Sequence, residues 1–325
     1  MPAKKKSYRQ IARELDLSPS TISRIASGTG RYSDDTKDAV TRALLQEGYV
    51  IDAPSVPVIC AVVADLNNEI YNNVLSALSR YLSRKGYVLQ IYVENKDQTE
   101  LIHRLSQSDA EGLFLVGTPL SQIALEASFP AVQILSHSQV SWKNQIYSVL
   151  SDEFVGGRLA ARALLEKGCR HPVILNNRHT SSQASPRIIG FREEWSKAGG
   201  DLSSLYIHDG EPYKSAFHSA HDIISYLTAR GSEFDCIFAC SDWRAYGALV
   251  ALQAMKVSIP DTVRLIGFDG ERVSRYCALP FTTILQDTQM LASSATDLLL
   301  SLIDGKTPAE PSIVVPVQIQ RGMTV

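Results

Sequence analysis

From Tyr8 the apolar positions recur three and four residues apart. Tyr8, Ile11, Ala12 and Leu15 form one stripe, the period of an amphipathic helix. Ser7 and Gln10 stand at capping-box spacing. Asp16 falls where the chain must turn, Ser18 can cap a second helix, and Pro19 takes a first helical position, where its missing N–H costs nothing. A second stripe of Ile22, Ile25 and Ala26 packs on the first, and Gly28 stands just past its end. A third helix is expected from about Asp34 to Glu47, burying Val40, Ala43 and Leu44 and ending at Gly48. Residues 1–49 therefore predict a small all-α unit. Residues 50–57, VIDAPSVP, predict a linker, because Pro54 and Pro57 oppose a continuous helix.

Beyond residue 57 the period changes. Short β-branched or apolar runs predict strands at Val58–Ala64, Tyr87–Val93, Gly112–Val116, Ala131–Leu135, Pro172–Leu175, Ser204–Ile207, Cys236–Ala239 and Val263–Gly267. Amphipathic stretches between them include Tyr71–Lys85, Glu153–Lys167, Ile188–Ala198, Tyr213–Thr228 and Asp242–Met255. Regular βα alternation with near-continuous apolar strands implies α/β architecture with parallel sheets covered on both faces. Eight such units exceed one core, so residues 58–325 predict two doubly wound subdomains.

Charge sharpens this division. The 325 residues carry a net charge of −2, but residues 1–31 hold seven basic residues against two acidic ones. A basic head on an acidic body suits a phosphate backbone as partner for the head; Lys4, Lys5 and Lys6 also fit a merely solvating tail. No stretch approaches a membrane span or a secretory signal, so the expectation is a cytoplasmic protein with no membrane partner. The five cysteines include no metal-type CxxC pair, and Cys236 and Cys240, flanking the CIFAC run, read as small buried hydrophobes. His218, His221 and Asp222 resemble a metal cluster only on paper, since no third histidine or cysteine stands at ligand spacing. There is no dinucleotide fingerprint, P-loop or G-x-S-x-G, which argues against an enzyme and against a cofactor.

The second helix leaves Pro19, Ser20, Ser23, Arg24 and Ser27 on the face away from the first. That face is small, polar and basic. Arg24 can reach a guanine edge in a bidentate pair, and hydroxyls can contact phosphates or bases. The alternative is a helical hairpin with a solvated face. At this point the chain resembles the LacI/GalR family of bacterial transcription regulators. Ser18, Thr21, Ile22, Ser23 and Arg24 match the family's S-x-x-T-[VI]-S-R signature, and Ser33 to Thr36 its S-x-x-T opening of helix three. The resemblance implies that Pro19, Ser20 and Arg24 read base edges of double-stranded operator DNA, with Thr21 and Ser23 nearer the phosphates; Ser7, Ser27 and Arg31 complete the DNA-facing set. Asp16 departs from the family's usual Gly, but Asp tolerates left-handed backbone better than most residues. The linker departs further, for the A-R-x-L element that wedges a leucine into the minor groove is missing.

The resemblance also implies the body: a periplasmic-binding-protein-like effector domain of two lobes joined by three crossing strands. Lobe one is expected at about 58–149 and 284–309, lobe two at about 150–283 and 310–325. Landmarks in family order include Asp65-Leu66-Asn67-Asn68, Asp152 with Gly156-Gly157, Arg187 with Gly190-Phe191, Ser241-Asp242 and Gly267-Phe268-Asp269. Ligands of such sheets bind beyond the carboxyl ends of the strands. Asp269 and Arg187 are the expected effector contacts, with Asn67, Asn68, Thr118, His137 and Ser241 completing the ring. Asp242 reads as a helix N-cap ahead of a ligand contact, and Trp243 as packing or as a sugar platform. The set suits a sugar or nucleoside, while Arg187 beside His137 keeps a sugar acid or sugar phosphate open. Ser241 in place of Asn and Glu69 in place of Pro leave the particular sugar unnamed. The implied mechanism is a homodimer whose operator affinity changes when effector binds between the lobes; the competing class is a sugar-binding protein without a DNA role.

Overall fold

The computed structural model describes residues 5–28, 32–49, 56–94, 98–118, 129–136, 147–176, 185–209 and 214–325. The chain divides into two compact units, Met1–Val58 with Gly86–Val88, and Ile59–Lys85 with Leu89–Val325.

In the first unit, α1 (Tyr8–Glu14), α2 (Pro19–Ala26) and α3 (Asp34–Gln46) follow the predicted stripes. Gln10 Oε1 accepts from the Ser7 backbone N–H at 2.8 Å, closing the helix start. Ser18 caps α2 and Ser33 caps α3, each accepting from the backbone N–H three residues on. Asp16 turns the chain at φ 55, the left-handed conformation expected of it. Ile11, Ala12, Ile22, Ile25, Ala26, Val40 and Leu44 form the core, ringed by Tyr8, Leu15, Leu17 and Tyr49. The basic tail is partly docked: Lys5 donates to the Gly48 carbonyl at 2.7 Å and lies over the Tyr49 ring, while Lys6 pairs with Glu14 and Glu47. The 50–57 linker falls mostly outside the described residues, which resume at Val56.

The second unit holds two six-stranded sheets. The first runs, in spatial order, β11 (Ser312–Val315), β5 (Tyr147–Ser151), β4 (Ala131–Ile134), β3 (Ala110–Val116), β1 (Val58–Val63), β2 (Val88–Val93). The second runs β12 (Val317–Gln320), β10 (Thr282–Gln286), β9 (Arg264–Asp269), β8 (Cys236–Ala239), β6 (Pro172–Leu175), β7 (Tyr206–His208). Helices α4 (Glu69–Arg84), α5 (Gln98–Ser106) and α11 (Thr288–Ile303) accompany the first sheet; α6 (Glu153–Leu165), α7 (Pro186–Lys197), α8 (Ala216–Ala229), α9 (Asp242–Ala254) and the short α10 (Val273–Tyr276) accompany the second. Among the described residues no helix is long and apolar enough to cross a membrane.

Three details differ from the sequence expectation. The crossings between sheets fall after Ser151, after Gln286 and at Pro316, so residues 284–286 stay with the second sheet and 312–315 join the first. β12 is antiparallel to β10, with Ile284 opposite Ile319, because the chain comes across at Pro316 and doubles back along that edge. β2 is an edge strand whose Val88, Ile91 and Val93 are exposed, so an apolar run there does not mean cover on both faces. Trp195 and Phe238 both stack on Phe191 in the second core, at 5.3 and 5.1 Å between centroids.

Candidate functional site

The carboxyl ends of the second sheet's strands and the first turns of α6 and α7 converge on Arg187. Its Nη1 donates to the Cys240 carbonyl at 2.6 Å and to Asp269 Oδ1 at 3.1 Å. Nε and Nη2 both donate to Glu153 Oε1, at 3.0 and 2.6 Å. The guanidinium carbon lies 3.8 Å from the Phe268 ring centre, a cation–π contact. Glycines make this approach possible. A Cβ at Gly157 would overlap the Arg187 carbonyl, and one at Gly190 would overlap the Phe154 carbonyl. Only bare backbone lets α6 and α7 meet closely enough for Glu153 to clasp Arg187.

Asp269 ends β9 at φ 116, a conformation strained for any residue with a side chain. Bonds from Arg187 and from Gln286 Nε2 at 2.8 Å hold its carboxylate there. Burial raises its pKa, against the pull of Arg187, to about 6. Burial acts to lower that of Arg187, but Glu153 and Asp269 more than offset it and the net shift is upward. Several carboxyl groups therefore surround Arg187, with Arg244 and Arg272 at the edges of the site. Glu271, two residues past Asp269, is 3% exposed, and burial together with Asp269, Asp242 and Glu69 pushes its pKa up to about 9. From the first lobe come Tyr71 and Glu69. The Tyr71 hydroxyl is held above its ordinary pKa by burial and by Asp269, with Arg187 opposing. Its ring occupies the space a side chain at Gly117 would need. Glu69 accepts from the Arg272 backbone N–H at 3.1 Å and pairs with its guanidinium at 3.4 Å.

The other expected effector contacts are placed differently. Asn68 Oδ1 caps α4 through the Tyr71 N–H at 3.2 Å, and Asn67 is turned onto Asp65, to which its backbone and side-chain nitrogens donate at 2.8 and 3.0 Å. Ser241, and not Asp242, is the N-cap of α9; its hydroxyl accepts from the Arg244 guanidinium at 3.0 Å and from the Arg244 backbone N–H. Asp242 is instead a buried brace, accepting from the Glu271 N–H at 2.7 Å and from Thr283 Oγ1 at 2.6 Å. Thr118 is fully buried at the end of β3. His137 and Arg31 lie outside the described residues. Trp243 is 44% exposed, edge-on to Tyr246, which favours neither a core nor a stacking role.

On the α2 face, Pro19, Ser20, Ser23, Arg24 and Ser27 are exposed and Thr21 is partly so. Ser18 Oγ lies 2.7 Å from Ser20 Oγ and 2.8 Å from Thr21 Oγ1, so the hydroxyls form a fixed array at the helix start. Ser7 is exposed at the start of α1. His218 and His221 are not joined: His218 faces Ser215, and His221 faces Asp222, which also pairs with Lys214. Cys169, Asp235 and Cys236 do cluster, a grouping not read from the sequence. The Asp235 oxygens hold the Arg170 and His171 backbone N–H groups at 2.6 and 2.9 Å, a loop-bracing role.

Residues 161–325 match the family of periplasmic binding protein-like domains. The ribose operon repressor of Haemophilus influenzae is 26% identical over 93% of this chain and 92% of its own length. The transcriptional regulator GalR of Escherichia coli is 23% identical over 96% and 94%. Among solved structures, the lac repressor dimer bound to operator and the anti-inducer ONPF superposes with a TM-score of 0.77 at 20% identity, covering 99% of each chain. The CelR–cellobiose complex gives 0.71 at 23% identity, covering 98% of this chain and 100% of that one. A helical head of helix-turn-helix type and a two-sheet effector body define a class, the ligand-responsive regulators. The chain belongs to the periplasmic binding protein-like family, in its LacI/GalR branch.

Proposed function

We propose that this protein represses a carbohydrate-utilisation operon, binding a near-palindromic operator as a homodimer and changing its affinity when a small polar effector binds between the lobes. Residues 1–49 are the DNA-binding head, 50–57 the linker and 58–325 the effector and dimerisation domain. It acts in the cytoplasm and is not an enzyme.

The observation that carries this reading is the division of α2: Ile22, Ile25 and Ala26 are buried, while Arg24 and four small polar or proline positions face outward. Such a face fits the major groove, and two copies related by a two-fold axis fit two half-sites. Arg187, Asp269 and Tyr71 offer a guanidinium, a carboxylate and a phenol to a polyhydroxylated ligand, the chemistry that a sugar needs. The ribose and cellobiose named for relatives support that class. Operator and effector affinities must then change reciprocally, by one common factor. Exposed Val88, Ile91 and Val93 on the β2 edge supply apolar surface for a second copy.

The test is a gel shift on duplex selected by the wild-type protein from a randomised pool. The Arg24→Ala protein should bind at least tenfold more weakly, an amount in keeping with one bidentate base contact of about 1–3 kcal/mol. Equal, salt-insensitive retention of DNA by both proteins removes the regulator reading.

A further inference from the structure

Two buried acceptors flank Asp269. Glu271 Oε2 and Gln286 Oε1 are both inaccessible and find no hydrogen-bond partner among the described residues. The orientation of the Gln286 amide is set by its Nε2, which donates to Asp269, so its oxygen must be the open end. Glu271 is 3% exposed and Gln286 4%. A buried polar atom without a partner is costly, which marks both atoms as waiting for one.

Carboxyl groups crowd around them, and burial pushes Asp242 as well as Glu271 toward the protonated form. Asp269 and Gln286 come from β9 and β10, Asp242 from α9, Glu153 from α6 and Glu69 from α4. Facing these four carboxylates and Glu271, Arg187 gives four of its five N–H bonds to Glu153, Asp269 and the Cys240 carbonyl, and Arg272 turns to Glu69. Among the described residues each guanidinium here already donates to an acceptor, so an anionic group entering would meet the carboxyls first. The geometry points to an effector that carries an ammonium group, an amino sugar or a similar hydroxylated amine, seated on Glu271 and the Gln286 carbonyl beside Asp269. An ammonium brings three donors and no acceptor, and it meets both the open oxygens and the Asp269 carboxylate beside them. This rests on the regulator reading and narrows its effector class.

Binding is then coupled to a proton. Burial, with Asp269, Asp242 and Glu69, holds Glu271 protonated against the opposing pull of Arg187, so seating a cation beside it expels that proton. Amine affinity should therefore rise up to tenfold between pH 6 and 7, more steeply than that of a neutral sugar, which feels only the Asp269 titration.

The experiment is a thermal-shift series on the full chain with hexoses, the matching 2-amino-2-deoxyhexoses and the matching hexose 6-phosphates, each in gluco, galacto and manno form. Calorimetry at pH 6 and 7 is then run on the best member. The expected result is an amino sugar as the strongest ligand, at least tenfold tighter than its hexose. That preference should be lost in Glu271→Gln, so that the amino sugar and its hexose bind that variant within about twofold of one another. A neutral or phosphorylated member that binds best and alters operator binding overturns the ammonium assignment and leaves the regulator standing. No shift with any member counts against both.

Discussion

Replacing Glu271 by glutamine isolates the buried acid at the lobe seam. The native group is pushed up to about 9 by burial and by Asp269, Asp242 and Glu69, whereas a glutamate in an unfolded chain titrates near ~4.3. Between those values the folded protein holds a proton that the unfolded chain has released. Stability from this group is complete below the unfolded pKa and is lost as pH rises toward the folded one, at about 1.4 kcal/mol per pH unit. From pH 6 to pH 8 the wild-type protein should lose roughly 2.7 kcal/mol that Glu271→Gln keeps. The amide has nearly the same shape and carries no titrating proton, so the variant's profile is flatter by that amount. Urea unfolding followed by tryptophan fluorescence reads the relevant lobe, because Trp195 is fully buried in the second core. Parallel pH profiles for the two proteins would refute the placement of a protonated Glu271 in the native state.

The same geometry gives three further outcomes. Gly190→Ala drives a methyl into the Phe154 carbonyl; it should cost about 2–4 kcal/mol in urea unfolding and abolish the effector's thermal shift by separating Glu153 from Arg187. Arg187→Met leaves Glu153 and Asp269 buried without their shared cation; the expected loss is about 3–5 kcal/mol, smaller at pH 5 than at pH 8 because Asp269 can then take a proton. Operator bending, measured by mobility of circularly permuted fragments, should be weak at the centre, since the linker VIDAPSVP has no A-R-x-L element to wedge the minor groove; a pronounced central bend contradicts this.

The head was legible because its signals are local. Caps at Ser7, Ser18 and Ser33, Pro19 at a first helical position and a 3.6-residue stripe all act within one or two turns, and each sits as expected. Most of the parallel strands were legible for a similar reason, as short apolar runs between helices. β5, β10, β11 and β12 were not, because YSVLS, TTILQ and VQIQ are short and about half polar, SIVV is only four residues long, and all become strands by pairing with distant segments. The site divides along the same line. Asp269 and Arg187, expected to act together, stand 3.1 Å apart. Asn68 and Ser241 illustrate the opposite case: a small polar residue after a strand serves a ligand or a helix start equally well, and here both cap helices. Glu153, Tyr71, Glu271 and Gln286 carried no local mark, since their roles depend on which elements the crossings bring face to face. Glu271 was two residues from Asp269 on the same loop, the nearest thing to a signal.

The position where this chain departs from its family's usual proline, Glu69, sets how much work the effector must do. Its carboxylate joins α4 of one lobe to Arg272 of the other through the backbone N–H at 3.1 Å and the guanidinium at 3.4 Å. Arg272 is 73% exposed at its side chain, so the ion pair is screened and contributes roughly 0–1 kcal/mol toward the conformation in which the lobes meet. That biases the equilibrium between lobe arrangements by about fivefold at most, whereas driving it from 1:99 to 99:1 takes ~5.5 kcal/mol of differential affinity. The ion pair alone cannot switch the protein. On the function proposed above, the remainder comes from contacts made only when a ligand bridges Tyr71 on one side to Arg187, Asp269 and Glu271 on the other, which puts the switching energy in the buried groups and not in the exposed ion pair.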